Sequence, residues 1–237
     1  MKAIEIKEVT KTFPDKTTAL ENVSFSIEEG NFAVIAGSNG SGKSVLMSLI
    51  AKLDIPTKGT IETSSQAGLV FQDADAQILG ETCEEDVAFG AKNSGYKKEA
   101  LKEKIIQTLE ATGLLYKKTA AARTMSGGEK RRLAVSGILA MDRNIFIFDE
   151  PFANLDWPGI KKTCGILKQL KDEGKTVVVL THELEKILAI ADRFIILDKG
   201  KIRFDGIPTE GLKLDLEQWS IRNPLKYGMK LEDLLWL

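Results

Sequence analysis

The stretch GSNGSGKS at residues 37–44 is the feature that most constrains how this chain can fold. It fits the pattern of glycine, four residues and Gly-Lys-Ser, and it follows the apolar run NFAVIA at residues 31–36. A buried strand, a glycine-rich turn and an amphipathic helix in this order aim successive backbone N–H groups at phosphate oxygens. The sequence therefore predicts a nucleoside triphosphate site on an α/β core. With both flanks in place, a glycine-rich turn with an incidental lysine is the weaker interpretation.

The loop supplies several different groups to a triphosphate. The start of the following helix adds roughly half a positive charge. Lys43 is expected to reach the β- and γ-phosphates, and the Ser44 hydroxyl to ligate Mg²⁺. The residues predicted to contact nucleotide here are Gly37, Ser38, Asn39, Gly40, Ser41, Gly42, Lys43, Ser44 and Val45.

Two further apolar runs, NIFIFD at 144–149 and KTVVVLT at 175–181, resemble the strand before the loop. Continuous rather than alternating apolar runs indicate strands buried on both faces, as in parallel α/β sheets. Helical spacing follows the loop, where one apolar face is predicted for the residues Val45, Leu46, Leu49, Ile50 and Leu53.

Three chemically active side chains come directly after these strands. Ligands bind outside the carboxyl ends of strands in open α/β sheets, so Asp149, Glu150 and His182 should face the phosphate loop. Asp149 suits a direct or water-mediated role at Mg²⁺, and Glu150 suits a general base that polarises the attacking water. His182 is the only histidine, and its placement favours contact with the γ-phosphate or orientation of the water and Glu150.

Composition excludes several other classes of function. The chain has 237 residues, with 33 basic against 34 acidic side chains, so the basic excess of a general nucleic-acid binder is absent. Cys83 and Cys164 show neither metal-site nor disulfide spacing, which fits a reducing cytosol. The N-terminus lacks the apolar core of a signal peptide, and no apolar run approaches the roughly 20 residues of a membrane span. Any membrane role is therefore expected to be peripheral, through another subunit.

Two parts of the chain differ from this α/β pattern. Residues 76–140 are charged and helix-like without a convincing buried strand, which predicts a helical subdomain inserted into the core. Residues 206–237 form a tail that ends in Leu234, Leu235, Trp236 and Leu237. These apolar side chains need a covering surface, from either this chain or a partner.

The stretch RTMSGGEKRRLAV at 123–135 raises a separate question. Ser126, Gly127 and Gly128 are suited to wrapping an anion, yet the neighbouring sequence offers none. They also suit a simple N-capping turn before a helix. The basic run of Lys130, Arg131 and Arg132 is interpreted as a solvated or packing face rather than as phosphate ligands.

In this order and spacing, the phosphate loop, SGGE, IFIFDE and the histidine resemble the nucleotide-binding subunit of ABC transporters over about residues 2–205. MSGGE is similar to the signature motif of that family, and ANLD at 153–156 to its D-loop, which ends at Asp156. Gln72 in LVFQD matches the Q-loop glutamine, and Phe13 occupies the place of the aromatic that stacks on adenine.

This resemblance implies a P-loop NTPase core with a mostly parallel sheet, an antiparallel N-terminal β part and the inserted helical subdomain. It implies ATP and Mg²⁺ as ligands, with Ser44, Gln72 and Asp149 at the metal. Catalysis would fall to Glu150, His182, Gln72 and Lys43. Two subunits, identical or different, would pair head to tail, so that Ser126, Gly127 and Gly128 complete the site that holds the partner's ATP. That arrangement would supply the missing anion. Asp156 is also expected to bind nucleotide.

A narrower resemblance lies in residues 71–90, which look like the energy-coupling factor branch that serves vitamin or transition-metal uptake. It implies a transmembrane coupling subunit and a substrate-binding membrane protein as partners, at the cytoplasmic face of the membrane. Glu84, Glu85 and Asp86 would either meet basic residues of that coupling subunit or form an acidic helix start.

Three alternatives stay open at this point. The chain could serve a conventional ABC transporter, or it could be a soluble ABC ATPase acting on DNA or ribosomes. The insert is too short for the coiled coil of DNA-repair relatives, and a single cassette is present where translation-type relatives carry two. A non-catalytic ATP-binding module should lack the general base or the signature, and both are present in this sequence.

Overall fold

The computed structural model describes residues 1–237 and is organised around a six-stranded sheet in the order β5-β6-β7-β3-β8-β9. All neighbouring pairs are parallel except β8 and β9. The strands are β3 (Phe32–Ala36), β5 (Ala67–Val70), β6 (Ile145–Asp149), β7 (Thr176–Thr181), β8 (Arg193–Asp198) and β9 (Lys201–Gly206).

The three predicted apolar strands form the middle of this sheet. Every residue of β3, β6 and β7 is buried, as expected for strands covered on both faces. Strand β7 lies between the other two, with Val177 opposite both Phe32 and Phe146. Because β3 and β6 both flank β7 and run parallel to it, the loops after all three strands open at one edge of the sheet.

An antiparallel sheet of three strands lies beside this core in the order β2-β1-β4. Its strands are β1 (Lys2–Thr12), β2 (Thr18–Glu28) and β4 (Lys58–Thr63). Their apolar side chains share one buried cluster with the helix after the phosphate loop and with one face of the larger sheet. The mixed α/β fold with a parallel sheet and an antiparallel N-terminal part is thus confirmed.

Six helices complete the fold, and no strand lies between Val70 and Ile145. The helices are α1 (Lys43–Ile50), α2 (Cys83–Asn93), α3 (Lys98–Ala111), α4 (Gly127–Leu139), α5 (Trp157–Asp172) and the short α6 (Pro208–Gly211). Helices α2, α3 and α4 bury their apolar side chains in a cluster of their own. None of these helices has the length and apolar character to cross a membrane.

The prediction for the helix after the phosphate loop is wrong at its last position. Helix α1 ends at Ile50, and Leu53 is 63% exposed instead of lying on the buried face. The chain turns away after Lys52, which has a positive φ of 59°. A turn rather than a continued helix therefore presents Leu53 to solvent.

The C-terminal tail is covered by this chain. Leu234 is fully buried, and its carbonyl accepts a hydrogen bond of 3.0 Å from the Ala189 amide. The ring of Trp236 lies 5.1 Å from the ring of Trp157, centroid to centroid, at the start of α5. The tail thus covers part of Trp157, the first residue of α5. Of the four apolar residues that end the tail, only Leu237 stays largely exposed.

Candidate active site

The phosphate loop takes a conformation that only glycine permits at two points. A Cβ on Gly37 would lie 2.4 Å from the Leu197 carbonyl oxygen. Gly42 caps helix α1 at φ 106°, and a Cβ there would lie 2.7 Å from the Ala19 carbonyl oxygen. The backbone between these glycines can therefore present its N–H groups to an anion without a side chain in the way.

Lys43 lies under the loop. Its Nζ donates to the carbonyl oxygens of Gly37 and Ser38, at 2.6 and 3.2 Å. The same atom lies 3.4 Å from Oε1 of Glu150, and Lys43 is only 6% exposed. A buried ammonium held beside the loop is a positive charge already in place for phosphate.

Ser44 and Asp149 form the second pair of the site. The Ser44 hydroxyl donates to Oδ2 of Asp149 at 2.9 Å, while the buried Oδ1 of Asp149 has no hydrogen-bond partner. Burial raises the pKa of Asp149, the Ser44 hydrogen bond opposes that rise, and the charge of Glu150 adds to it. One hydroxyl and one unpartnered carboxylate oxygen are hard ligands of the kind Mg²⁺ prefers.

Glu150 follows directly and is held by three groups. Its φ is +45°, which is rare outside glycine, and its amide donates to the Leu180 carbonyl at 2.9 Å. The Thr181 hydroxyl donates to Oε2 at 3.2 Å, and Nδ1 of His182 lies 3.0 Å from Oε1. The strained backbone thus aims the carboxylate at the residues that end β7.

One cleft unites most of the predicted nucleotide residues. It is lined by Ala19, Ser38, Asn39, Gly40, Gly42, Lys43, Ser44, Val45, Gln72, Asp149 and Glu150. Gly37 and Ser41 are buried beneath it, and His182 borders it through Glu150. We call Lys43, Ser44, Asp149, Glu150 and His182 the phosphate-loop edge.

Phe13 lies apart from this cleft, in the tight turn between β1 and β2. Its amide donates to the Thr17 carbonyl at 2.9 Å. The ring is 36% exposed, and Nζ of Lys11 lies 5.5 Å from its centroid. An exposed aromatic face at this turn is available for a flat apolar ligand.

Ser126, Gly127 and Gly128, which we call the signature edge, lie at the start of α4 and do not line the cleft. The Ser126 hydroxyl accepts from the Glu129 amide at 3.3 Å, and the Glu129 carboxylate accepts from the Ser126 amide at 2.9 Å. Hydrogen bonds from Lys117 and Ser126 lower the pKa of Glu129 to about 2. Asp156 caps α5 similarly, through its Oδ1 and the Gly159 amide at 3.0 Å. The capping-turn interpretation is therefore correct, and Ser126 and Gly127 remain exposed.

Comparison with known proteins identifies the family. The model of the ABC transporter family matches residues 20–153, more than half of the chain. The chain belongs to the ABC transporter family. It is accordingly an ATP-hydrolysing ATP-binding subunit, as its relatives are.

Individual relatives cover nearly the whole of this ABC ATPase. The energy-coupling factor transporter ATP-binding protein EcfA1 of Clostridium novyi is 36% identical over 226 residues, 87% of this chain and 80% of its own length. The structure of cbiO1 from Clostridium perfringens, part of the ABC transporter complex cbiONQ, matches with TM-score 0.81 and 26% identity over 95% and 97% of the two chains. A dimeric ATP-binding cassette solved with ADP and Pi matches with TM-score 0.79 and 28% identity over 86% and 98%.

Sequence reasoning missed the place of Arg131 in this ABC ATPase. Arg131 is buried, and its guanidinium donates to main-chain carbonyls around the site. Lys130, by contrast, forms an outer ion pair with Asp75. A signal was present, because Arg131 falls on the buried face of α4 with Val135 and Ile138, at helical spacing.

The acidic residues after the Q-loop make their polar contacts within this chain. Glu85 completes a capping box with Thr82, and Glu84 pairs with Lys118 at 3.1 Å. Asp86 is only 6% exposed, and its Oδ1 accepts from the amides of Leu79 and Gly80 at 2.8 and 3.1 Å. Of the two interpretations left open, the acidic helix start is the one these contacts describe.

Proposed function

We propose that this chain is the ATPase of an energy-coupling factor importer for a vitamin or transition-metal ion. The observation that carries the proposal is the likeness to energy-coupling factor ATP-binding proteins over almost the whole chain. On this proposal, residues 1–205 form the ATPase domain, with 76–140 as an inserted helical subdomain and 206–237 as a tail. The chain would act at the cytoplasmic face of the membrane through its partners.

Each ATP in this proposal is held between two subunits. The phosphate-loop edge of one chain would hold the triphosphate, while Ser126, Gly127 and Gly128 of the other would donate to its γ-phosphate. The exposure of the signature edge, and its absence from the cleft of its own chain, support this division. A related cassette that was solved as a dimer supports it as well.

Hydrogen bonds to the γ-phosphate can supply the free energy needed to close such a dimer. Shifting a pair from 1:99 to 99:1 closed requires about 5.5 kcal/mol of differential binding. Charge-assisted hydrogen bonds contribute roughly 1.5–3 kcal/mol each, so a few at each of two sites suffice. Loss of the γ-phosphate on hydrolysis would remove these bonds, and the pair would relax. Both kinds of edge are intact in this chain, which suits a homodimer and a heterodimer alike.

Mg²⁺ would be held by Ser44 and Asp149, with Gln72 from the same cleft. The Oδ1 of buried Asp149 fits a cation, because it has no hydrogen-bond partner in the chain. No cluster of three or more acidic, histidine or cysteine side chains is present, which suits an ion held mainly by phosphates and water. The bound ion would supply positive charge to the β- and γ-phosphate oxygens.

Hydrolysis would then depend on Glu150 as general base. Its Oε1 lies between Nζ of Lys43 and Nδ1 of His182, at 3.4 and 3.0 Å, so its position is fixed from two sides. His182 is half exposed and can face both Glu150 and a phosphate oxygen. Gln72 lines the cleft beside them and would help to place the water or the metal.

The membrane partner would bind an apolar groove, rather than the acidic residues themselves. The groove lies between β5 and helices α2 and α4, and its rim exposes Leu53, Leu79 and Phe89 by 63%, 67% and 48%. Exposed apolar side chains grouped in one groove mark an interaction surface. Its occupant in this proposal is a coupling helix of the transmembrane subunit, since residues 71–90 carry the resemblance to the energy-coupling factor branch.

The proposal is tested by purifying a tagged chain from detergent-solubilised membranes of its source and identifying what accompanies it. We expect a transmembrane subunit together with a small vitamin- or metal-binding membrane protein. Phe89→Asp should release both, because it places a charge in the groove. Glu84→Gln, a control on the outer face of the same helix, should retain them.

Three results would contradict the proposal. A conventional transporter pair without the small membrane protein would exclude the energy-coupling factor branch. Ribosomes or DNA in place of membrane proteins would exclude transport. Unchanged recovery of both subunits with Phe89→Asp would exclude the groove as the docking surface.

A further inference from the structure

Arg131 binds the main chain of three separate segments of the site. Its Nη1 donates to the carbonyl of Gln72 at 3.0 Å and to that of Ala153 at 3.3 Å. Its Nη2 donates to the carbonyl of Asp149 at 3.3 Å and also to that of Glu150. One side chain thus joins the Q-loop, the end of β6 and the D-loop.

This guanidinium is buried without a salt bridge. Arg131 is 6% exposed, its hydrogen bonds go to main-chain carbonyls, and the charges of Asp149 and Glu150 oppose the lowering of its pKa by burial. The planar fork of arginine can serve several acceptors at once, which the single ammonium of lysine cannot do in the same geometry. Such a costly burial is retained where the positions of the acceptors matter.

The contact with Glu150 has a specific consequence. Glu150 is held at φ +45°, a region that is unfavourable for any residue with a Cβ. Its amide is fixed by Leu180, and its carbonyl accepts from both Arg131 and the Ala153 amide, the latter at 3.2 Å. Without Arg131, the carbonyl keeps only the Ala153 bond, so the strained residue is held less firmly and its carboxylate can shift away from Lys43 and His182.

Arg131 also belongs to the helix that begins at the signature edge. Ser126 is the N-cap of α4, and Arg131 lies on the second turn of the same helix. A displacement of α4, such as one caused by a ligand that binds at Ser126, is therefore felt directly at the Glu150 and Gln72 carbonyls.

We infer that Arg131 is a positioning residue, which holds Glu150 in its reactive conformation and links that conformation to the signature edge of the same chain. The link to the partner's nucleotide rests on the proposed function, whereas the effect on Glu150 does not. No membrane subunit is needed to test the latter.

The experiment measures single-turnover ATP hydrolysis by the purified full chain. Arg131→Met removes every donor and should lower the hydrolysis rate by about 10- to 100-fold, the range expected when a catalytic group is slightly misplaced. Arg131→Lys, which keeps the charge, should fall between Arg131→Met and the wild type. ATP affinity should change by no more than about threefold, because the phosphate loop is not contacted by Arg131. Lys130→Met, one residue away, is the matched control and should leave the rate within about twofold.

A double-mutant cycle separates positioning from general loss of structure. In the Glu150→Gln background, Arg131→Met should cause little further loss, because the group that Arg131 positions is already gone. Equal losses in both backgrounds would overturn the inference, as would a wild-type rate for Arg131→Met. A wild-type chain that hydrolyses no ATP, alone or together with its co-purified partner subunits, would instead refute the function proposed above.

Discussion

The phosphate-loop edge and the signature edge of this molecule differ in how their polar groups are satisfied. At the phosphate-loop edge, Lys43, Asp149 and Glu150 are no more than 6% exposed and lie against one another and Ser44. At the signature edge, Ser126 and Gly127 are exposed, and the Ser126 side chain only caps its own helix. One edge is assembled within the chain, and the other is left open to a ligand from outside. This contrast is the one expected if a single chain carries two unlike halves of a reaction centre, as proposed above.

The strongest test of this contrast is Glu150→Gln. Loss of the general base should reduce steady-state phosphate release by about 10²- to 10⁴-fold. Nucleotide affinity, measured with a fluorescent ATP analogue, should persist because Lys43 and the loop are untouched. The pair should then stay closed with ATP, visible as a stable dimer in size-exclusion chromatography. The control Glu185→Gln, which removes a carboxylate that is paired with Arg222 and does not line the cleft, should behave as the wild type. Full turnover by Glu150→Gln would mean that another group is the base.

A second test addresses the signature edge. Ser126→Arg should lower the ATPase rate of concentrated protein by about 10- to 100-fold, since one or more charge-assisted hydrogen bonds are lost. The affinity of the dilute, monomeric chain for ATP should not change. Ser126→Thr keeps a capping hydroxyl and should retain most of the activity. If Ser126→Arg weakened ATP binding by the monomer as much as it slowed hydrolysis, the signature would be serving its own chain.

The two edges were not equally predictable from sequence. The phosphate-loop edge follows from local rules, because continuous apolar runs fix β3, β6 and β7, and reactive side chains stand where those strands end. The sequence also locates Ser126 as a helix cap. The proposed ligand of Ser126 is the nucleotide held by a second molecule, so only the resemblance to a family suggests this ligand.

The features that were missed depend on contacts between distant parts of the chain. Arg131 stands in a basic run that suggests solvent exposure, and its acceptors are main-chain atoms, which leave no mark in the sequence. The contact of Trp157 with Trp236 joins residues far apart in sequence, the second of them in the C-terminal tail. The charge of Asp86 predicts an exposed side chain. Asp86 is buried instead, because the preceding loop folds back over it and donates hydrogen bonds to its carboxylate.

The smallest expected effect concerns the free-energy cost of burying the Asp149 carboxylate at the phosphate-loop edge. Asp149→Asn should raise the melting temperature of the nucleotide-free chain by about 2–4 °C per kcal/mol gained, because it removes a buried charge whose Oδ1 has no hydrogen-bond partner. Burial raises the pKa of Asp149, so folding favours its protonated form. The difference from the wild type should be largest at neutral pH and shrink as the pH falls through that raised pKa.

Asp172→Asn, which removes an exposed carboxylate near Lys168, is the matched control and should change the melting temperature little. Asp149→Asn should also weaken the response to Mg²⁺. A lower melting temperature for Asp149→Asn at neutral pH would show that the carboxylate stabilises the free chain.

The central claim is that each site takes one edge from each of two chains, and mixing two inactive variants tests it most directly. Lys43→Ala disables the phosphate-loop edge, and Ser126→Arg disables the signature edge. If the chain pairs with a second copy of itself, the two variants mixed in equal amounts should regain about one quarter of the wild-type ATPase rate, because half of the randomly formed dimers carry one intact site. If the mixture stays as inactive as its two components, each chain works alone and the account is wrong.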